Sequence, residues 1–404
     1  MGTPTALGRM TAMLAALAAP ACSGSATVND LDGAPGTSAD TGASADTGAS
    51  ADTGTSADTG TSADTGTSTD TGTSADTGTT ADSGGQREDV HADLGMPDGR
   101  MDGVATDGSS GGWTSLPPLA SGPRQETGVA ALDGKIYVIG GFNSAGVVVP
   151  IVETYDPASR AWATIAPFPR AVHHANAAAV AGKIYVVGAL VDATFRAIGD
   201  VYAYDPTTNT WSPKAPLPSG QERGAGGVAV IGTKIYVAGG FRGGNSVADF
   251  SSYETSSDMH ASLPPLAQAT DHLVGGAVGG IVYAIGGRSG GITGLIGRVA
   301  AFDPSAGTWS ERAPMITPRG GTAAAVVRDR IVVAGGEGNM AVPSGVFPQT
   351  EVFVPATNSW LSLPNMRTPR HGTGGAAIGN TFYVPGGASV QSFGASAEVE
   401  SIEL

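Results

Sequence analysis

Cysteine is almost absent from this chain: 404 residues contain one, Cys22. No disulfide can therefore hold the rest together. Long apolar runs are absent as well. Met10–Ala19 is too short to span a bilayer, and no other stretch approaches that length. Basic excess is missing too. Residues 113–404 carry 20 Asp or Glu against 18 Lys or Arg, so that part has no cationic surplus with which to release counterions. Nucleic acid is thereby disfavoured, and none is expected as a partner. Most of the net charge of −15 belongs to residues 23–112, with 16 acidic residues against 2 arginines. Common catalytic signatures are lacking. There is no His-Glu-x-x-His, and Gly108-Ser-Ser-Gly-Gly112 fits a nucleophile elbow only in letters, without a strand–turn–helix around it. Gly134-Lys135 and Gly182-Lys183 are followed by Ile rather than Ser or Thr, and read as hairpin turns instead of phosphate loops.

What is present is repetition. Six β-type apolar runs begin at Ile136, Ile184, Ile235, Val282, Ile331 and Phe382, with steps of 48, 51, 47, 49 and 51 residues. They close on small residues: Gly140 and Gly141, Gly188 and Ala189, Gly239 and Gly240, Gly286 and Gly287, Gly335 and Gly336, Gly386 and Gly387. An aromatic follows in five units (Tyr155, Tyr204, Tyr253, Phe302, Phe353), and seven residues later comes Trp162, Trp211, Trp309 or Trp360, with His260 in that slot of the third unit. A period near fifty means a propeller or solenoid. Paired glycine, aromatic and Trp at this spacing resemble the kelch repeat over residues 113–404.

The resemblance implies an all-β propeller with four strands per unit. Asp133-Gly134 and Gly379-Asn380 suit the hairpins between first and second strands. Asp156-Pro157, Asp205-Pro206 and Asp303-Pro304 suit type I turns between third and fourth strands. The chain stops inside the third strand of unit six, where Val399-Glu-Ser-Ile-Glu403 aligns with Val152-Glu-Thr-Tyr-Asp156. Trp113-Thr-Ser-Leu-Pro117 resembles Trp360-Leu-Ser-Leu-Pro364 and is a fourth strand without a predecessor. Pairing these ends predicts six blades closed by an N-terminal strand, against an open five-bladed ring. Unit three is the weakest, and Met259 is expected to fill part of the gap left by the missing Trp.

The first 22 residues read as an export signal, with Arg9, the short apolar run and Ala19-Pro-Ala-Cys22. Small residues before the lone Cys resemble a bacterial lipoprotein signal, which implies lipidation at Cys22, although Ala19 stands where such signals usually have Leu. Cleavage after Ala21 is the alternative. Residues 37–84 are eight hexapeptides close to Thr/Ala-Ser-Ala-Asp-Thr-Gly, without aromatic or branched apolar residues. Residues 23–112 are accordingly expected to form a disordered acidic linker.

Kelch resemblance places ligands at the mouth formed by loops between units and loops after the paired glycines. Five inter-unit loops carry an arginine: Arg124, Arg170, Arg223, Arg319 and Arg370, while the fourth has Thr270-Asp271-His272. A guanidinium ring suits carboxylates or other planar anions, and the same residues could instead tie blades through backbone carbonyls. His173, His174, His272 and His371 lie beside these positions. His173 and His371 share one register and His174 and His272 the next, so a three-His metal site is not expected, nor any cofactor. Among the variable loops, Glu337–Gln349 carries Met340, Val342, Val346 and Phe347, a partner or sugar face unless it covers itself. Phe142–Pro150 and Leu190–Ile198, with Phe195 and Arg196, are the next candidates.

Copper radical oxidases of kelch architecture need a Tyr–Cys crosslink, which a propeller without cysteine cannot make. The leading reading is a non-catalytic envelope lipoprotein, expected at the outer membrane and as a monomer, whose loop face binds a protein or glycan. Its rival is a carbohydrate-active enzyme of the sialic-acid mutarotase type, using those arginines with Glu126, Glu222, His174 and His371. A purely structural spacer ranks third.

Overall fold

The computed structural model describes residues 112–404. The expected signal with Cys22 and the expected linker up to residue 111 lie outside the described residues. Those described contain strands and turns and no α-helix. Alternating apolar positions and tight turns leave the chain little else to form. At Asp133-Gly134 both φ angles are positive, as a two-residue hairpin requires.

Six four-stranded antiparallel sheets follow one another around an axis. Blade 1 is built from Gly128–Leu132, Lys135–Ile139, Val152–Asp156 and Ala161–Thr164. Blades 2 to 5 repeat this order. Blade 6 takes Ala376–Ile378, Thr381–Pro385 and Val399–Glu403 from the C-terminal end and Thr114–Leu116 from the start. Thr114 pairs with Ser401 and Leu116 with Val399, so the ring closes as the repeat predicts. Blade 2 departs in one respect. Ala189 replaces the second glycine, and the second strand runs on to Val191 against Arg196–Asp205.

The core is six apolar wedges, one between each pair of blades, and not one central mass. Tyr137, Ile139 and Val152 meet Ile184, Val186 and Tyr204 between blades 1 and 2. Leu119, Val138 and Tyr155 meet Tyr383 and Val399 where the ring closes. The Trp slot clamps each wedge. Trp162 Nε1 donates to Pro117 O (2.9 Å), Trp211 to Ala166 O (3.0 Å), Trp309 to Pro264 O (2.8 Å), Trp360 to Ala313 O (2.9 Å) and Trp113 to Pro364 O (3.0 Å). Each bond reaches back one blade. In blade 3, His260 Nε2 makes the same reach to Ala215 O at 2.8 Å. Met259 does not fill the gap: it is 65% exposed, and the imidazole itself replaces the indole bond.

The paired glycines end the second strands because a neighbouring blade's backbone arrives there. A Cβ on Gly335 would stand 2.1 Å from Arg370 O, and Gly336 N–H donates to that same carbonyl at 2.9 Å. Only a residue without a side chain fits.

Candidate functional site

The inter-unit loops carry three successive layers toward the axis. The outermost holds the arginines. Arg124, Arg223, Arg319 and Arg370 are fully buried and reach into their own blades. Arg319 donates to Gly335 O (2.7 Å) and Glu351 Oε2 (2.8 Å), and Arg370 to Gly386 O (2.8 Å) and Glu400 Oε2 (3.2 Å). Arg124 donates to Gly140 O (3.0 Å) and to the Glu153 carboxylate. Arg223 donates to Val237 O (3.0 Å) and Ser251 Oγ (2.8 Å). Meanwhile the backbone carbonyls of Arg124, Arg319 and Arg370 accept from Gly387, Gly287 and Gly336 of the preceding blade. The structure thus turns these four guanidiniums into their own blades with no face on the mouth, and the link to the neighbouring blade is made by backbone carbonyls. A ring for anions is not assembled, because the forks are filled by carbonyls, carboxylates and a hydroxyl.

Arg170 stands apart. It is half-exposed, pairs with Asp200 at 3.2 Å and lines an open cleft of about 620 Å³ with Val147, Asp192 and Arg196. Arg196 is paired in turn with Asp192 (3.4 Å), so each arginine of this cleft already faces a carboxylate.

The second layer holds Gln125, His173, Asp271 and His371. His173 Nε2 lies 3.0 Å from Asp192 O, and His371 Nε2 lies 3.0 Å from Val390 O. Both rings are thereby pinned to loops after the paired glycines. Burial and the adjacent His174 push His173 down to about 3, so it stays neutral.

The third layer is on the axis, with one residue per blade: Glu126, His174, Ala225, His272, Gly321 and Gly372. All six have left-handed backbones, with φ from 51° at His174 to 67° at Gly321. Each N–H donates to the axial carbonyl of the preceding blade. His174 bonds Glu126 O (2.8 Å), Ala225 bonds His174 O (3.0 Å), His272 bonds Ala225 O (2.9 Å) and Gly321 bonds His272 O (2.9 Å). Gly372 bonds Gly321 O (2.9 Å), and Glu126 N–H returns to Gly372 O. The closed ring explains why non-glycine residues hold a conformation that ordinarily costs ~1–3 kcal/mol.

Three of the six axial side chains converge. His174 Nε2 is 2.9 Å from Glu126 Oε2 and 2.8 Å from His272 Nε2, all buried. Gly372 makes room, since a Cβ there would meet Glu126 Oε1 at 2.5 Å. His371 Nδ1 lies 3.8 Å from Glu126 Oε1 and 3.5 Å from Glu337 Oε2. Arg288 completes the cluster, donating to Asp271 Oδ1 (3.1 Å), His272 Nε2 (3.0 Å) and the Glu337 carboxylate. Burial alone would push the carboxyls of Glu126 and Asp271 up. Facing His174, His272 and His371 outweigh it at Glu126, and hydrogen bonds from His272 and Ser246 with the Arg288 charge outweigh it at Asp271. Both are held well below the usual carboxylate range. Burial, then Arg288, push His272 down. A cavity of about 110 Å³ adjoins the cluster, lined also by Thr127, Asn176, Gly226, Thr322 and Thr373.

Glu126, His174 and His371 are therefore brought together, and His272 joins them. Glu222 is not among them: its carboxylate accepts from Gly220 N–H. Arg288 and Glu337 had no repeat-wide signal. They occupy the first loop position after the glycines in blades 4 and 5 only, and bridge to the inter-unit loop through Asp271 and Gly320.

Over this layer the loop face is aromatic. Phe195 packs on His173 and His174 (4.8 and 5.5 Å between centroids) and on Phe142, and Phe393 packs on Phe142 at 5.3 Å. The Glu337–Gln349 loop divides: Val346 and Phe347 are buried, while Met340 and Val342 are exposed.

Fold and site define a six-bladed propeller with a buried ionisable axis. Residues 123–169, 222–266, 272–316 and 318–367, in blades 1, 3, 4 and 5, match the Kelch motif. Kelch-like protein terF of Aspergillus terreus is similar, 32% identical over 299 residues that are 69% of this chain and 65% of that protein. Kelch-like protein 25 of Xenopus tropicalis is 27% identical over 268 residues, 66% of this chain and 37% of that protein. Kelch-like protein 35 of Mus musculus is 40% identical over 76 residues, 19% and 13% of the two chains. The chain spans less than two thirds of the length of each of these relatives. The solved structure of YjhT superposes with a TM-score of 0.59 at 17% identity, over 70% of this chain and 95% of that one, a likeness of fold. Kelch motifs thus fill four of the six blades, and the described part of the chain is a kelch-type β-propeller.

Proposed function

We propose that this chain is an exported, envelope-anchored kelch propeller that holds a protein partner on its loop face without chemistry. A protein-interaction scaffold is the usual role of kelch propellers. One observation carries the reading to a particular surface. Apolar side chains are exposed on neighbouring loops of blades 5, 6 and 1: Met340 (77%), Val342, Val390, Phe393 (45%) and Val147. These loops are braced together, with Gln391 N–H donating to Ser344 O at 2.8 Å and Phe393 against Phe142. Exposed apolar side chains on loops braced to one another fit an apolar protein segment. For anchoring, the support is Cys22 after small residues and the acidic spacer that follows.

Crosslinking on intact cells tests both parts. A partner should be retained by the native chain and by Met259→Ser, and lost with Met340→Ser/Phe393→Ser at unchanged melting temperature. Cys22→Ala should move the chain out of the membrane fraction. Equal capture by the double variant would sink the loop-face reading.

A further inference from the structure

We propose that the axial cluster binds one divalent transition-metal ion of the Zn²⁺ class, through Glu126 Oε2, His174 Nε2 and His272 Nε2. These ligand atoms lie within 4.8 Å of one another and come from blades 1, 2 and 4.

Hydrogen bonding sets the tautomers. A backbone carbonyl only accepts, so His173 Nε2 carries the proton toward Asp192 O, and its Nδ1 is bare. His174 Nδ1, 2.5 Å from that bare nitrogen, must then donate, which in the neutral ring leaves His174 Nε2 as a lone pair. His272 Nδ1 lies 2.5 Å from Asp271 Oδ1 and donates to it, which leaves His272 Nε2 as a lone pair also. Two imidazole lone pairs 2.8 Å apart and a carboxylate oxygen 2.9 Å from one of them point at one place. Arg288 reaches only one of the two nitrogens, His272 Nε2, whereas a metal ion between them satisfies both. His371 adds to the excess, since its Nε2–H goes to Val390 O and its Nδ1 has no partner while facing the Glu126 and Glu337 carboxylates.

Charge points the same way. With the imidazoles neutral, Glu126, Asp271 and Glu337 face a single guanidinium, Arg288, leaving two negative charges that a divalent ion offsets. Asp271 and His173 are the outer partners that fix imidazole orientation at metal sites. Two nitrogen ligands favour Zn²⁺ and its neighbours over Mg²⁺ or Ca²⁺. Tetrahedral bonds of about 2.1 Å separate ligands by about 3.4 Å, so the two short spacings, 2.8 and 2.9 Å, must open by about half an ångström. Arg288 then releases His272 and keeps Asp271 and Glu337. Three protein ligands leave a position facing the 110 Å³ cavity, where water fits.

The full chain, stripped with a chelator and titrated with Co²⁺, provides the test. We expect one Co²⁺ per chain, a visible d–d absorption that equimolar Zn²⁺ abolishes, and a melting temperature raised about 5 °C by Zn²⁺. Glu126→Gln, which preserves shape, and His272→Asn should each weaken binding at least tenfold, with His260→Asn unchanged. If His272→Asn does not fold, Glu126→Gln decides. No absorption and no Zn²⁺-dependent melting would overturn the site in favour of a proton shared by the histidines. Undiminished binding in Glu126→Gln would place the ion elsewhere.

Discussion

At the scale of single residues, the buried arginines carry a rule that repeats within the chain. Blades with an arginine in the slot place Glu153, Glu351 or Glu400 on the third strand to meet it. Blades 2 and 4, with Val172 and Thr270 in the slot, have Tyr202 and Ala300 there instead. Blade 3 breaks the rule: Arg223 meets Ser251, and burial lowers the guanidinium to about 10. Ser251→Glu supplies the missing carboxylate in a place that holds Glu in three other blades. A charged hydrogen bond of ~1.5–3 kcal/mol should raise the melting temperature by about 2–5 °C in a thermal scan. A fall would mean that blade 3 has no room for the longer side chain. An arginine that recurs in five of six inter-unit loops reads equally as a mouth ligand or as a tie. Only the matched glutamate, a longer-range feature, separates the two.

At the scale of elements, strands and turns were legible because their cause is local. Alternation, Asp-Gly and Asp-Pro turns, and paired glycines act over a few residues. The clamp between blades was half legible: the Trp slot was visible, its carbonyl partner 45 to 47 residues away was not, except at the seam where Trp113 reaches across 251. His260 looked like a defect in sequence, yet its Nε2 sits where an indole N–H would. The paired glycines give the sharpest test of an element. Gly335→Ala puts a Cβ against Arg370 O and onto a φ of +69°, and should destabilise the fold by at least ~3 kcal/mol in a denaturant titration. A loss below about 1 kcal/mol would mean that the neighbouring blade yields.

At the scale of the molecule, closure decides stability and solubility together. Removing Trp113–Leu116 takes away a wedge clamp and leaves Val399–Glu403 with an unpaired edge. Loss of the Trp alone should cost ~3–5 kcal/mol, and the open edge should promote association visible by light scattering. A monomer with unchanged melting would refute the role of the seam. The sequence by itself determined the repeat, the blade count and the join between the two ends, since each follows from spacing and from strand halves that need partners. Tertiary structure alone decided what the loops do. It turned four arginines inward to the blades. It also brought Glu126, His174 and His272, spread over 147 positions, to one point, because a closed ring of backbone hydrogen bonds sets one residue of every blade on the axis. Convergence of that kind depends on the curvature of the ring, a property that no single repeat encodes.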